Sequence, residues 1–217
     1  MVTSTDGVTW TLGTMPVISP WAITFGNNGF VAVGASGITT SQDGVTWTTP
    51  IVIADREFFG VTYGNGLYVA VGEYTNDRYG RSIIYTSSDA VNWTAVPRDQ
   101  NDQATVRLNV VAYDANNGFV AVGSKFYYSA DGYTWVTGNP ATFYGIAHGY
   151  DSWVAGGWYN LYSSPDGSSW TAELPQDNAP VTDSPFHAVT FGNNSFVAVG
   201  GAGSGVLVGH IFIGPSH

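Results

Sequence analysis

SQDGVTW, residues 41–47, recurs with small changes as STDGVTW at 4–10, SSDAVNW at 87–93, SADGYTW at 129–135 and SPDGSSW at 164–170. A second phrase alternates with it: GFVAVG at 29–34, LYVAVG at 67–72, GFVAVG at 118–123, SWVAGG at 152–157 and SFVAVG at 195–200. Measured between Trp10, Trp47, Trp93, Trp135 and Trp170, the turns recur after 37, 46, 42 and 35 residues. That is the period of a four-stranded propeller blade, and self-similarity at such a period decides the architecture before any single residue does.

Within one unit, 22–50, the segments AITF, FVAV, GITT and VTWT carry the period-two, β-branched and aromatic pattern of short strands. GNN, GAS and QDG separate them and supply the positive φ that tight turns need. With the strands lettered a to d from the centre outward, the fold class is all-β: a five-bladed propeller of four-stranded antiparallel blades in a single domain, 1–217. The blades are expected at 21–50, 58–96, 108–138, 143–173, and 186–213 joined by 1–13. The N-terminus opens in mid-unit, with a turn phrase and no VAVG before it. The C-terminal unit has FHAVTFGNNSFVAVG and no turn phrase after it. A closing blade shared between the termini, with strands a and b at 186–200 and strand d at 8–12, would remove two exposed sheet edges. Both 1–4 and 205–209 fit its strand c.

In each turn phrase the Asp (Asp6, Asp43, Asp89, Asp131, Asp166) is placed to accept backbone N–H groups about two residues on. The Gly takes a conformation other residues resist, and the Trp packs back between blades. The phrase therefore reads as a structural element, and SSDAVNW differs only in losing its Gly. It resembles the Asp-box, or BNR repeat, of sialidases and other secreted β-propellers, in a variant shortened by one residue between Asp and Gly. The wording DGVTWT with YGNGLYVAVG is similar to the propeller repeats of bacteriophage tail and other virion proteins. The resemblance covers nearly the whole chain. It implies a folding element opposite the active face, and a virion setting.

Composition narrows the functions. Six Lys plus Arg stand against sixteen Asp plus Glu, a net charge of -10 that disfavours nucleic acid and anionic lipid. With no cysteine there are no disulfides, thiolate metal sites or thiol nucleophiles. MVTSTDGVTW has no basic n-region or apolar run, and no stretch of 18 apolar residues occurs, so neither a signal peptide nor membrane insertion is expected.

The a–b and c–d turns share one face and are uniformly short. The longer connections, 73–81, 96–107, 157–160 and 173–185, fall on the opposite face, where recognition is expected. The innermost strands begin with Trp21, Phe59, Asn109, Tyr144 and His187, each followed by a smaller residue: Ala22, Gly60, Val110, Gly145 and Ala188. The first set reads either as packing between blades or as a rim of aromatic and polar groups suited to sugar rings. Tyr74, Tyr79, Trp158 and Tyr159, in the variable loops, join it as candidates. Arg78 and Arg81 beside them would suit an acidic sugar or a partner's carboxylate.

Enzymatic readings lack their residues. A sialidase needs three arginines from separate blades, whereas Arg56, Arg78, Arg81, Arg98 and Arg107 all lie in or beside the second blade. Inner strands AITF, GVTY, VVAY, GIAH and AVTF carry no acid for a paired-carboxylate hydrolase. His148, His187, His210 and His217 show no metal-ligand spacing, so no catalytic residue, metal or cofactor is expected. The sequence points to a non-enzymatic virion surface protein, a phage tail or head decoration or fibre component, assembled in the host cytoplasm. Its expected partners are other virion proteins, host surface glycan and further copies of itself. The alternatives are a stand-alone five-bladed lectin and, behind it, a glycoside hydrolase.

Overall fold

Each FVAVG phrase forms the second strand of an antiparallel sheet. The computed structural model describes residues 1–16, 18–76, 81–97, 107–138, 142–158, 160–173, 185–202 and 205–211, from 201 onward as backbone. Strands and turns make up these residues, without a helix. The chain divides into two units, Met1–Thr105 and Val106–His217.

The first unit opens with a two-stranded hairpin, β1 (Val2–Thr3) and β2 (Thr11–Leu12). Sheet 1 follows, with β3 (Pro20–Gly26), β4 (Gly29–Gly34) and β5 (Gly37–Ser41). Sheet 2 holds β6 (Arg56–Gly64), β7 (Leu67–Tyr74), β8 (Ser82–Ser87) and β9 (Thr94–Ala95) in chain order. The second unit contains sheet 3, β10 (Leu108–Asp114), β11 (Gly118–Gly123), β12 (Phe126–Ser129) and β13 (Val136–Thr137). Sheet 4 is β14 (Phe143–Gly149), β15 (Ser152–Gly157), β16 (Leu161–Ser164) and β17 (Thr171–Glu173). Sheet 5 is β18 (Phe186–Gly192), β19 (Ser195–Ala202) and β20 (Gly205–Ile211).

Both candidates for the spare third strand pair, but with different partners. Residues 205–211 join β19, whereas Val2–Thr3 pair with Thr11–Leu12. The fourth strands are shorter than the sequence suggested and start after the tryptophan. The Asp carboxylate explains this, because it captures the two amides that precede the Trp. Asp43 Oδ1 accepts Val45 N at 2.8 Å and Thr46 N at 2.7 Å, and Asp6 does the same with Val8 and Thr9. The strand expected at 8–12 therefore shrinks to Thr11–Leu12.

In sheet 1 the fourth strand, expected within VTWT, is reduced to the bond from Thr48 N to Thr40 O at 2.9 Å and a bridge between Ile38 and Ile51. Three residues after the Trp, Val96 N and Gly138 N donate to Ile84 O and Phe126 O in sheets 2 and 3. Pro50 occupies this position and has no N–H, so Ile51 N takes over the bond to Ile38 O at 2.7 Å.

The serine that opens the phrase has a role the sequence did not disclose. Ser41 Oγ donates to Asp43 Oδ1 at 2.9 Å and accepts Gly44 N at 2.9 Å; Ser129 and Ser164 repeat both bonds. Ser41, Ser87, Ser129 and Ser164 are buried. In SSDAVNW, Ala90 itself adopts the left-handed conformation, at φ 63°. The indoles of Trp47, Trp93, Trp135 and Trp170 each donate back to the carbonyl three residues earlier. Trp170 packs on Phe126 of sheet 3 and Phe143 of sheet 4, as expected of a residue between blades. Trp93 and Trp135 lie against Tyr68 and Phe119 of their own sheets, and Trp10 is 58% exposed.

An aromatic pair lies beside every a–b turn, in directly opposed register: Phe25–Phe30, Tyr63–Tyr68, Tyr113–Phe119, His148–Trp153 and Phe191–Phe196. Their ring centroids are 4.7, 4.5, 4.7, 4.7 and 4.8 Å apart. Within the units these pairs seat on the preceding sheet. A methyl group at Gly26 would collide with the Tyr63 ring and the Tyr68 hydroxyl, and one at Gly149 with the Phe191 ring. The Tyr68 hydroxyl accepts Asn28 N at 3.0 Å and donates to Gly29 O at 3.1 Å. Where sheet 3 meets sheet 4, Asp114 stands at the glycine position and His148 at the aromatic one, with Oδ2 and Nδ1 3.0 Å apart.

The amides of Thr46 and Val45 hold the Asp43 carboxyl at about 2, below the usual 3.8, and Asp6 and Asp89 are depressed in the same way. A depressed folded-state pKa contributes stability that is complete above the unfolded value and lost as pH falls through the folded one. Melting temperature should therefore fall from about pH 4 down to pH 2, and Asp43→Asn should make that fall shallower. An unchanged slope in the variant would rule out this carboxylate as a contributor.

Candidate functional site

The five residues aligned at the start of the inner strands share one backbone feature. The ladder between first and second strands slips by one residue at Pro20/Ala22, Phe58/Gly60, Leu108/Val110, Phe143/Gly145 and Phe186/Ala188. The skipped residues are Trp21, Phe59, Asn109, Tyr144 and His187. Each is the extra residue of a β-bulge, a device that releases a residue from pairing and re-aims its side chain. The sequence could align these positions but held no sign of the bulge, which breaks the two-residue period by only one position.

In the first unit, Trp21 is 60% exposed while Phe59 is buried, with ring centroids 6.1 Å apart. Trp21 Nε1 donates to Glu57 Oε1 at 3.2 Å. A groove of about 650 Å³ runs beside Trp21, with Met15, Pro16 and Ile18 on its walls. Tyr74, expected in a loop, ends strand β7 and is half-buried beneath Arg56, whose guanidinium carbon lies 3.6 Å from the ring centroid. Arg81 is exposed, and its carbonyl accepts Tyr74 N at 2.9 Å. Arg78, Tyr79 and Tyr159 lie outside the described residues.

The second unit brings Tyr144, Trp158 and His187 together. The Tyr144 centroid lies 6.2 Å from Trp158 and 5.8 Å from His187, both edge-on. Trp158, directly after β15, is 45% exposed and His187 is exposed. An open cleft of about 350 Å³ is lined by Thr142, Trp158, Asn160 and Tyr162. Asn109 turns instead toward the neighbouring sheet, with Nδ2 donating to Phe143 O at 3.0 Å. The small residue Gly145 is in close contact with Ala188, where a methyl would lie 2.8 Å from its Cα. Bulge residues thus serve two ends: Asn109 fastens sheets, while Trp21, Tyr144 and His187 also present surface.

The folds of solved proteins place this arrangement in a class. The chain is similar to an ancestral GH74 enzyme (TM-score 0.65, 14% identity, 92% of this chain and 31% of that one). It is similar to PorZ, a surface component of the type-IX secretion system of Porphyromonas gingivalis (TM-score 0.59, 13% identity, 92% and 29%). It is also similar to the extracellular domain of the BT4673 hybrid two-component system from B. thetaiotaomicron (TM-score 0.63, 9% identity, 85% and 27%). These are β-propeller-type proteins, and the chain has a β-propeller-like all-β fold. It spans under a third of each. No family model and no curated protein matches the sequence. Similarity at this level carries the fold and leaves function to the site.

Replacing Asn109 by Ala should lower stability by about 1–2 kcal/mol in urea titrations, the cost of stranding one half-buried partner. A change below about 0.5 kcal/mol would show that the bond adds nothing to the junction.

Proposed function

We propose that the chain closes into one five-bladed propeller and serves, without catalysis, as a surface component of a virus particle, a phage tail or head decoration or fibre subunit that holds host glycan on its variable face. The observation that carries the functional reading is the bulge set. Five equivalent positions hold Trp21, Phe59, Asn109, Tyr144 and His187 on one repeated scaffold. Such variation suits a single asymmetric binding face better than the five like sites of a stand-alone lectin. The likeness of the repeats to virion propellers supports the setting, and many copies on a particle would give weak sites avidity.

Closure is supported by what the first and last sheets leave open. Trp21, Ile23 and Phe25 of β3 are 60%, 57% and 63% exposed, and a methyl at Gly192 meets no described atom within 4 Å. In the repeat order Phe25 is the first such aromatic, with no glycine position before it in the chain, and Gly192 the last such glycine, with no aromatic position after it. Hairpin β1–β2 likewise carries the turn phrase that β18–β20 lack. In a closed protein, Gly192→Leu destabilises as strongly as Gly149→Leu, by about 1–3 kcal/mol or more. A change at Gly192 within about 0.5 kcal/mol would contradict closure.

The glycan reading is tested on an array that includes host surface polysaccharide, with the folded chain displayed multivalently. Binding is the expected result. Its absence at high density would overturn glycan recognition and leave a decoration subunit whose partners are other virion proteins.

A further inference from the structure

The cleft beside sheet 4 has a chemistry more specific than that general reading. Gly157 N donates to Asn160 O at 3.0 Å. This bond ties the backbone beside the Trp158 indole to that of the Asn160 carboxamide. Tyr162 lies on the adjacent strand, with its ring edge-on to buried Phe143 at 5.0 Å, so its position is set by the core. Thr142 is the fourth described residue lining the 350 Å³ space. That volume lies near the lower end for small-molecule clefts, about 300–1,000 Å³.

The polar side chains of Thr142, Asn160 and Tyr162 are neutral and can both donate and accept: a threonine hydroxyl, a carboxamide and a phenol. Sugar hydroxyls have the same dual character. Trp158, partly exposed, offers an apolar face for a ring's C–H groups. Among the described residues, no Lys, Arg, Asp or Glu lines the cleft. An anionic sugar entering it would give up hydration without gaining a counter-charge from these residues. The chain's net charge of -10 adds to that penalty at longer range.

We infer that the cleft formed by Thr142, Trp158, Asn160 and Tyr162 binds an uncharged pyranose ring, stacked on Trp158 and hydrogen-bonded by the other three. This rests on the glycan reading above and narrows it to one place and one class of sugar. It also moves the expected contact away from Arg78 and Arg81, which would have favoured an acidic sugar.

The test titrates the purified chain with methyl glycosides of glucose, galactose and N-acetylglucosamine, and with glucuronic and N-acetylneuraminic acids, by ligand-observed NMR. Trp158→Ala and Trp158→Phe are run in parallel, each with its melting temperature. At least one neutral probe is expected to bind. Trp158→Ala should weaken it by roughly tenfold at unchanged melting temperature, and Trp158→Phe by less. The acids should show no binding at the same concentrations. Preference for the acids, or wild-type affinity in Trp158→Ala, would overturn this site while leaving glycan recognition standing. Failure of every probe here, together with a blank array, would remove both.

Discussion

An aromatic side chain resting on the glycine of the preceding sheet is the contact on which the rest of the structure depends. Tyr63 and Tyr68 against Gly26, and Phe191 against Gly149, bring neighbouring sheets close enough that even a methyl group has no room. Each aromatic is held from behind by its cross-strand partner, so the ring that enters the neighbour is already fixed. Directly opposed aromatic pairs contribute roughly 0.2–1 kcal/mol apiece within a sheet. Their larger effect is to set the spacing at which FVAVG-type strands become buried on both faces. The junction between sheets 3 and 4 obeys the same geometry with different chemistry, since Asp114 and His148 replace glycine and aromatic together and meet at 3.0 Å.

The Ser–Asp–Gly–Trp turns lie at the same end, Ser41 pairing directly with Phe30; they bind their own amides and hydroxyls, and their polar groups are largely consumed by the scaffold. At the other end of each strand the constraint relaxes. The bulges sit where the ladder slips, and the side chain released there does not determine whether the sheet forms. Asn109 is used to fasten a neighbour, whereas Trp21, Tyr144 and His187 retain exposed area. A rigid, repeated frame with one freely varying position per unit is a physical basis for recognition by an otherwise repetitive protein.

The repeat made most of the strand order legible, because alternation and Gly/Asn/Asp turns report local geometry directly. It misplaced the fourth strands, since capture of two amides by each Asp is a hydrogen-bond competition that hydrophobic pattern does not register. Pro50 was visible, yet its consequence depends on which amide the ladder required at that point. Tyr74 was assigned to a loop because Arg56, the partner that holds it, lies eighteen residues earlier. Trp158 was singled out as a loop candidate, but the companions that line a cleft with it, Thr142, Asn160 and Tyr162, converge only through the pairing of β14 to β16. The serines of the turn phrase were in plain view, and only burial and donor direction show their work.

The junction itself is open to a direct energetic measurement. A double-mutant cycle on Gly149→Ala and Phe191→Ala, followed by urea unfolding, isolates the contact between them. If Phe191 fills the space above Gly149, the added methyl is costly beside Phe191 and nearly harmless once the ring is gone, a coupling of about 1–3 kcal/mol. Additive effects within about 0.5 kcal/mol would mean that the two sheets do not meet through this pair, and the account of how the repeats pack would fail.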